Sequence, residues 1–134
     1  MKFKVLRSQF IEGLKSVQNI VAGKGSLPIL QNVMIEGKGN SIKLTTTDLD
    51  ISIKSEVECE VMEEGTTTLP VKLLFTSVTK AAEGDIVVEC DAKERATIKA
   101  GSARFRLQGM PSSEFPSIPE DGATTRVVAG AGFR

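Results

Sequence analysis

The feature that most constrains the fold is a repeated order of predicted elements. The stretches KVLRSQFIEGLKSV and TLPVKLLFTSVTKA each run from a short strand into a helix, about 64 residues apart. Further along the chain, SIKL and ATIK correspond at a spacing of about 55 residues. Two copies of a strand-helix-strand-strand-strand unit predict an α+β fold. In such a fold, two helices pack side by side against antiparallel sheets with pseudo-twofold symmetry.

Hydrophobic periodicity predicts the two helices. Ser8 is the predicted N-cap of the first helix, which is expected to end near Gly23. Its apolar stripe comprises Phe10, Ile11, Leu14, Val17 and Val21. The second predicted helix covers residues 71–84 and is expected to end at Gly84. Its apolar stripe comprises Val71, Leu74, Phe75, Val78 and Ala82.

Alternation of apolar and polar residues predicts strands over residues 2–6, 32–37, 41–48, 49–62, 66–70, 85–91, 94–100 and 102–109. The run from 49 to 62 has the clearest pattern. Its apolar face comprises Ile51, Ile53, Val57, Cys59 and Val61, and its other face carries Glu56, Glu58 and Glu60. This pattern predicts one half-buried strand with a solvated acidic face.

The sequence after residue 110 has a different character. The stretch MPSSEFPSIPEDGATT holds three of the five prolines and shows no periodicity, which is typical of a linker. We therefore expect residues 1–121 to form one domain. Residues 122–134 are expected to be a linker and the start of a second, truncated domain.

Composition argues against most catalytic and metal-binding functions. The chain has no histidine, which is the commonest general base and the commonest metal ligand. Asp48 and Asp50 are the nearest pair of carboxylates, but the stretch TTDLDIS is better interpreted as a turn between strands. Cys59 and Cys90 fall on apolar faces and are expected to be buried, reduced thiols. We predict no cofactor and no metal. The N-terminus lacks a signal-peptide pattern, which favours the cytoplasm.

Charge is distributed unevenly, although the formal net charge is zero. Residues 1–24 carry five basic residues against one acidic residue, and residues 71–82 carry two lysines and no acid. Residues 25–70 carry three lysines against eight acids, and residues 83–122 carry five basic residues against eight acids. The helical segments are thus basic and the strands acidic. A basic helical surface attracts phosphate backbones, but charge alone favours the explanation that these lysines are solvated helix residues with no function.

Five stretches occur in an order and spacing that resemble the N-terminal domain of the bacterial sliding clamp, the beta subunit of DNA polymerase III. They are MKFKV, GKGSLPIL, TTTDLDISI, TTLPVKLL and RFRLQGMPSSEFP, and the resemblance covers residues 1–120. It implies a non-catalytic processivity factor that encircles double-stranded DNA and tethers the polymerase. Chains of this family contain three such domains, and two chains join head to tail into a ring whose hole is lined by helices.

The resemblance also implies positions for DNA contacts. Lys24 and Lys72 match basic, DNA-facing positions of the family, whereas Lys15 and Lys80 are candidates only because of the helix face that they share. The pocket for peptides of DNA polymerase III and the clamp loader lies mainly between family domains that this sequence does not include.

The resemblance further implies an interface with a second clamp chain. The family pairs an edge strand with the neighbouring chain, at a position that matches Arg104, Phe105 and Leu107, with Leu73 nearby. Alternation alone is equally compatible with Phe105 and Leu107 as ordinary core residues. A second hypothesis is therefore a protein-interaction module that associates through its sheet edges and binds DNA negligibly.

Overall fold

The computed structural model describes residues 1–18, 28–49 and 51–116 in full, and the backbone of residues 124–129. The helices are α1 (Arg7–Gln18) and α2 (Val71–Lys80). The strands are β1 (Lys2–Leu6), β2 (Asn32–Lys38), β3 (Ser41–Thr47), β4 (Ser52–Glu58), β5 (Glu60–Glu63), β6 (Gly65–Pro70), β7 (Asp85–Cys90), β8 (Arg95–Ala100), β9 (Ala103–Gln108) and β10 (Thr124–Ala129). Short 3-10 helices cover Pro28–Gln31 and Ser112–Glu114.

The strands form two five-stranded sheets, and each repeat unit contributes to both. Sheet A has the order β5-β1-β7-β8-β9, and sheet B has the order β10-β4-β3-β2-β6. The first strand of each unit therefore pairs with the other unit, because β1 lies beside β7 and β6 lies beside β2. The pairs are antiparallel except for β10 and β4, which are parallel. This exchange of strands confirms the predicted duplication and the α+β fold.

One hydrophobic core joins both sheets and both helices. The rings of Phe3 in β1 and Phe10 in α1 meet edge to face, with centroids 5.8 Å apart and an interplanar angle of 89°, a favourable arrangement for aromatic pairs. Gly13 lets α1 lie close to sheet B. A β-carbon at that position would stand 2.5 Å from Cγ2 of Val57 and 3.1 Å from Cδ1 of Leu44. The close approach of α1 to β4 therefore depends on a residue without a side chain.

The predicted single strand over residues 49–62 is wrong, since the structure divides it between the two sheets. β4 ends where its partner β3 begins, at the pair of Glu58 and Ser41. The backbone N–H of Cys59 then donates to the carbonyl of Asn40, and β5 pairs with β1 in sheet A. Alternation continues across the break, so the sequence pattern cannot reveal it. Ile51 is 43% exposed and does not share the burial of the inward face.

The helix ends also differ from the sequence predictions. Helix α1 begins at Arg7, directly after β1, so Ser8 lies inside the helix and is not its N-cap. Helix α2 ends at Lys80, and Ala81 rather than Ala82 is buried. The predicted end of α1 near Gly23, together with Val21, lies outside the described residues. The inward faces of both helices are otherwise as predicted, with Phe75 half-buried against the core.

Residues 110–115, the start of the stretch that resembles a linker, pack against the domain. Met110 forms a two-way backbone hydrogen bond with Thr68 in β6, and Phe115 is buried against Ile29 and Leu30 in a small second cluster. These contacts hold the chain against the domain as far as residue 115. The predicted boundary between residues 121 and 122 lies outside the described residues.

Both cysteines are free thiols, as predicted. Cys90 is buried, as predicted, whereas Cys59 is only half-buried and departs from the prediction. Burial raises the pKa of the Cys59 thiol to about 11, and burial also raises the pKa of Cys90. Because only thiolates are strong nucleophiles, neither sulfur is suited to covalent catalysis at neutral pH.

The hydroxyl of Ser55 in β4 is expected to destabilise the fold. Its hydroxyl is buried beneath α1 and has no hydrogen-bond partner among the described residues. Since an unsatisfied buried hydroxyl costs about 1–3 kcal/mol, Ser55→Ala should raise the free energy of unfolding by about 1 kcal/mol. Urea denaturation followed by far-ultraviolet circular dichroism measures the change.

A serine of the same strand provides the matched control. The hydroxyl of Ser52 donates to that of Thr47 at 3.1 Å, so Ser52→Ala should instead lower the free energy of unfolding by about 1 kcal/mol. A loss of stability in Ser55→Ala of similar size to the control would show that the Ser55 hydroxyl does form a hydrogen bond.

Candidate nucleic-acid interface

The two helices lie side by side and run in opposite directions. The guanidinium of Arg7, at the start of α1, donates to the carbonyls of Val78 and Thr79 in the last turn of α2. The start of one helix is thus fixed beside the end of the other. Their inward faces fill the core, so their outward faces form one continuous surface, which we call the helical surface.

Lysines dominate the charge of the helical surface. Lys15 of α1 and Lys72 and Lys80 of α2 are all exposed, and none has an acidic partner within salt-bridge distance in the described residues. Glu12 is the one acidic residue in the two helices, and neither helix has an acid in its first turn. Lys72 stands in the first turn of α2, where the helix dipole is already positive. A lysine at this position lowers the stability of α2 slightly and strengthens the attraction of the helix start for anions.

Three of the six basic residues in the strands of sheet A lie beside acids. The ion pairs of the described residues join Lys4 to Glu60 at 3.7 Å, Lys99 to Glu89 at 3.5 Å and Arg95 to Asp91 at 3.1 Å. The backbone N–H of Arg95 is the main cause that lowers the pKa of Asp91, and the Lys93 N–H and the Arg95 side chain add to it. Such exposed pairs add little stability. They do offset the positive charges of Lys4, Arg95 and Lys99, whereas the three lysines of the helical surface have no such pair in the described residues.

The edge of sheet A carries the predicted interface residues. In the described part of the chain, β9 pairs only with β8, so its outer edge is open. Phe105 and Leu107 point inward and pack against the core, but both stay partly exposed, whereas Arg104 and Arg106 are exposed on the opposite face. The burial of Phe105 and Leu107 is thus compatible with both interpretations from the sequence, as core residues and as interface residues. Leu73 of α2 is 57% exposed, and α2 contacts β9.

A shallow depression of about 470 Å³ lies on the outer face of sheet A beside this edge. Its polar lining comprises Glu89, Asp91, Arg95, Thr97, Arg106 and Gln108. Charges of both signs line it, and the Arg95–Asp91 ion pair is part of that lining. The depression is therefore a continuation of the β9 edge and does not have the convergent polar groups of a catalytic site.

The other candidate chemistry of the sequence does not form a site in the described residues. The carboxylate of Asp48 accepts the backbone N–H of Ile51 at 2.7 Å, which closes the β3–β4 turn. Asp50 lies outside the described residues. No group of three or more potential metal ligands occurs in the part of the chain that the structure describes. Within the same ranges, neither helix is long and apolar enough to cross a membrane.

Comparison with protein families decides the assignment. The family model for the N-terminal domain of the DNA polymerase III beta subunit matches residues 1–119. The chain belongs to this family. The beta sliding clamp of Chlamydia muridarum is 35% identical over 120 residues, covering 90% of this chain and 33% of the relative. The beta sliding clamp of Caulobacter vibrioides is 30% identical over 130 residues, covering 96% of this chain and 35% of the relative.

Solved clamp structures agree with this assignment. The beta sliding clamp of Caulobacter crescentus matches with a TM-score of 0.86 at 31% identity, covering 91% of this chain and 33% of that one. A clamp from Bartonella birtlesii matches with a TM-score of 0.84 at 34% identity, covering 90% and 33%. The chain therefore spans about a third of the length of the relatives that it matches. The predicted resemblance and clamp fold are confirmed.

The helical surface brings Lys15, Lys72 and Lys80 onto one side of this clamp domain, while Lys24 lies outside the described residues. Sequence analysis missed the structural role of Arg7, which was counted with the surface charge. The structure places its guanidinium against the end of α2. No local signal could have indicated this, because the two groups are more than 70 positions apart in the chain.

Proposed function

We propose that this chain is the first domain of a ring-forming sliding clamp that encircles duplex DNA and tethers the replicative polymerase to its template. The helical surface carries the proposal. In a member of the clamp family, three exposed lysines lie on adjacent helices without acidic partners in the described residues, whereas half of the six basic residues in the strands of sheet A, namely Lys4, Arg95 and Lys99, are paired with acids. That distribution favours one face for DNA and an outer face that repels it.

Such a surface suits sliding because its contacts are electrostatic and independent of sequence. Lysine ammonium groups bind phosphate as point charges and leave the base edges unread. Each contact is weak and exchanges with counterions, so the protein can move along the duplex. Retention on DNA then comes from the closed ring. The mechanism needs no catalytic group or cofactor, and we propose a non-catalytic role.

The proposed domain comprises residues 1–121, with residues 122–134 as a linker and the start of a second clamp domain. Lys24 is proposed as a DNA contact in addition to Lys15, Lys72 and Lys80. A lysine keeps the charge that phosphate binding requires but lacks the bidentate fork of arginine.

The β9 edge is the proposed interface with a second clamp chain, in a head-to-tail homodimer. An incoming strand would complete the backbone hydrogen bonds of β9 and cover the exposed parts of Phe105 and Leu107. The exposed Arg104 of β9 and the exposed Leu73 of α2 are proposed to belong to the same interface. Partners such as DNA polymerase III and the clamp loader are proposed to bind mainly through the other domains, in the cytoplasm.

A retention experiment tests the topological proposal. The assembled clamp that contains this domain is loaded by the clamp loader and ATP onto nicked circular duplex DNA, and bound protein is measured by gel filtration before and after the circle is linearised. We expect the clamp to remain on circles and to leave linear DNA. Equal retention on both forms would overturn the proposal, because contact alone would then explain binding.

The open β9 edge also favours a second candidate, a module that binds proteins and not DNA. Its partly exposed apolar residues and free backbone groups are typical of strand addition. A titration of the chain with a short duplex at low ionic strength separates the two. Shifts of the lysine signals of the helical surface favour the clamp, and concentration-dependent shifts confined to β9 favour the module.

A further inference from the structure

Arg7 makes three hydrogen bonds to the end of α2 and the segment after it. Its Nε donates to the carbonyl of Val78 at 3.2 Å, and its Nη2 donates to that of Thr79 at 2.9 Å. Its backbone N–H donates to the carbonyl of Gly84 at 2.9 Å. One residue thus holds both the last turn of α2 and the loop that follows.

The last turn of α2 needs such an external donor. The final carbonyls of a helix have no partners within the helix, and α2 has no glycine at its end. It is followed by Ala81 in an extended conformation, and the Ala81 N–H bonds back to Val78. The guanidinium supplies two donors and a positive charge at the negative pole of the helix. Only an arginine offers both donors in one rigid plane.

Only one of the two repeat units has an arginine at this position. The spacing of 64 residues places Val71, the first residue of α2, at the position equivalent to Arg7. Val71 is fully buried and cannot bond the end of α1 through its side chain. The carbonyl of Val17 in α1 instead accepts the hydroxyl of Thr46 in β3. The last described turn of α1 is thus bonded to sheet B, whereas the last turn of α2 is bonded to the other helix.

Lys80 is the lysine of the helical surface that lies nearest to this bond in the chain. It is the last residue of α2, directly after Thr79, whose carbonyl accepts from Arg7. Lys72 stands at the other end of the helix, in its first turn and beside buried Val71. Loss of the Arg7 bonds would release the last turn while leaving the first turn packed.

We propose that Arg7 is a positioning residue for the DNA-binding surface, which fixes the last turn of α2 and hence the place of Lys80. The inference rests on the proposed function for its consequence, since it concerns a contact with DNA. The bond itself can be tested without DNA.

The test compares the unaltered chain with Arg7→Met, which keeps the aliphatic stem and removes the guanidinium. Amide hydrogen exchange by NMR is expected to become about tenfold faster for residues 79–81, the end of α2 and the residue that follows it. A tenfold change is the scale of losing a hydrogen bond to a charged group. Exchange in the first turn of α2 should change little. In a duplex titration, the Lys80 side-chain shift should be lost while that of Lys72 is kept.

Two further variants complete the design. Arg95→Met removes an exposed arginine and the same charge from the surface of sheet A, and it should leave both readouts unchanged. Arg7→Lys keeps the charge at the helix end but not the planar fork. It should restore only part of the exchange protection, and it serves in place of Arg7→Met if that variant does not fold.

Uniformly faster exchange with an intact Lys80 response would overturn the proposal, because Arg7 would then contribute to general stability alone. Full restoration by Arg7→Lys would also overturn the role of the fork. If no lysine of the unaltered chain responds to DNA, the proposed DNA contact fails for this domain. The exchange data still decide whether Arg7 holds the end of α2.

Discussion

Replacement of Gly109 by alanine is expected to lower the free energy of unfolding by about 2–4 kcal/mol, the combined scale of overpacking and of broken backbone hydrogen bonds. A β-carbon at position 109 would stand 2.1 Å from the carbonyl oxygen of Thr68 and 3.1 Å from that of Glu94. Neither backbone atom can move away as a flexible side chain could. The hydrogen bonds between Thr68 and Met110, which link β6 to the segment after β9, and the bond from the Gly109 N–H to the carbonyl of Glu94, just before β8, would have to open.

Gly37→Ala is the matched control. Gly37 also lies in a sheet, but its added β-carbon would meet nothing nearer than 3.5 Å, an ordinary contact. This variant should change stability by less than about 1 kcal/mol, with a slight gain because glycine weakens strands. The chain has no Trp or Tyr, so unfolding is best followed by far-ultraviolet circular dichroism. Equal effects of the two substitutions would show that β6 and residue 109 are not in close contact.

Reversal of the three helix lysines, Lys15→Glu, Lys72→Glu and Lys80→Glu together, is expected to weaken duplex binding about 100-fold or more at low ionic strength. Each lysine that contacts a phosphate contributes about one unit to the slope of log K against log salt. The slope should therefore become shallower by about three units. Fluorescence anisotropy with a labelled duplex over a salt series measures both quantities, and non-specific binding predicts the same loss for duplexes of different sequence.

Lys38→Glu, Lys43→Glu and Lys93→Glu together give the same change in net charge away from the helices. All three residues are exposed. Lys43 lies on the face of sheet B opposite to that of buried Ile42 and Leu44, and α1 packs near Leu44. The control should keep most of the binding and of the salt slope. Equal losses in both triple variants would mean that net charge, and not the helical surface, governs association.

The sequence predicted helices and strands correctly wherever a local hydrophobic period indicated them. The strands of both repeat units and the inward faces of α1 and α2 follow from alternation and helical spacing. These faces depend on residues that are near one another in the chain. The exposure of Lys15, Lys72 and Lys80 followed from the same helical period, and their common surface followed from the duplication. The element ends were less predictable, because the start of α1 and the end of α2 depend on contacts between them.

Sequence alone determined the duplicated α+β plan, the separation of basic helices from acidic strands, and the family, because each is written in residue order and type. Tertiary structure alone decided the exchange of β1 and β6 between the sheets and the division of one alternating run into β4 and β5. It also decided the contact between Gly109 and Thr68 and the bond from Arg7 to the end of α2. These features join groups that are far apart in the chain, and their energies depend on distances that only the folded backbone fixes.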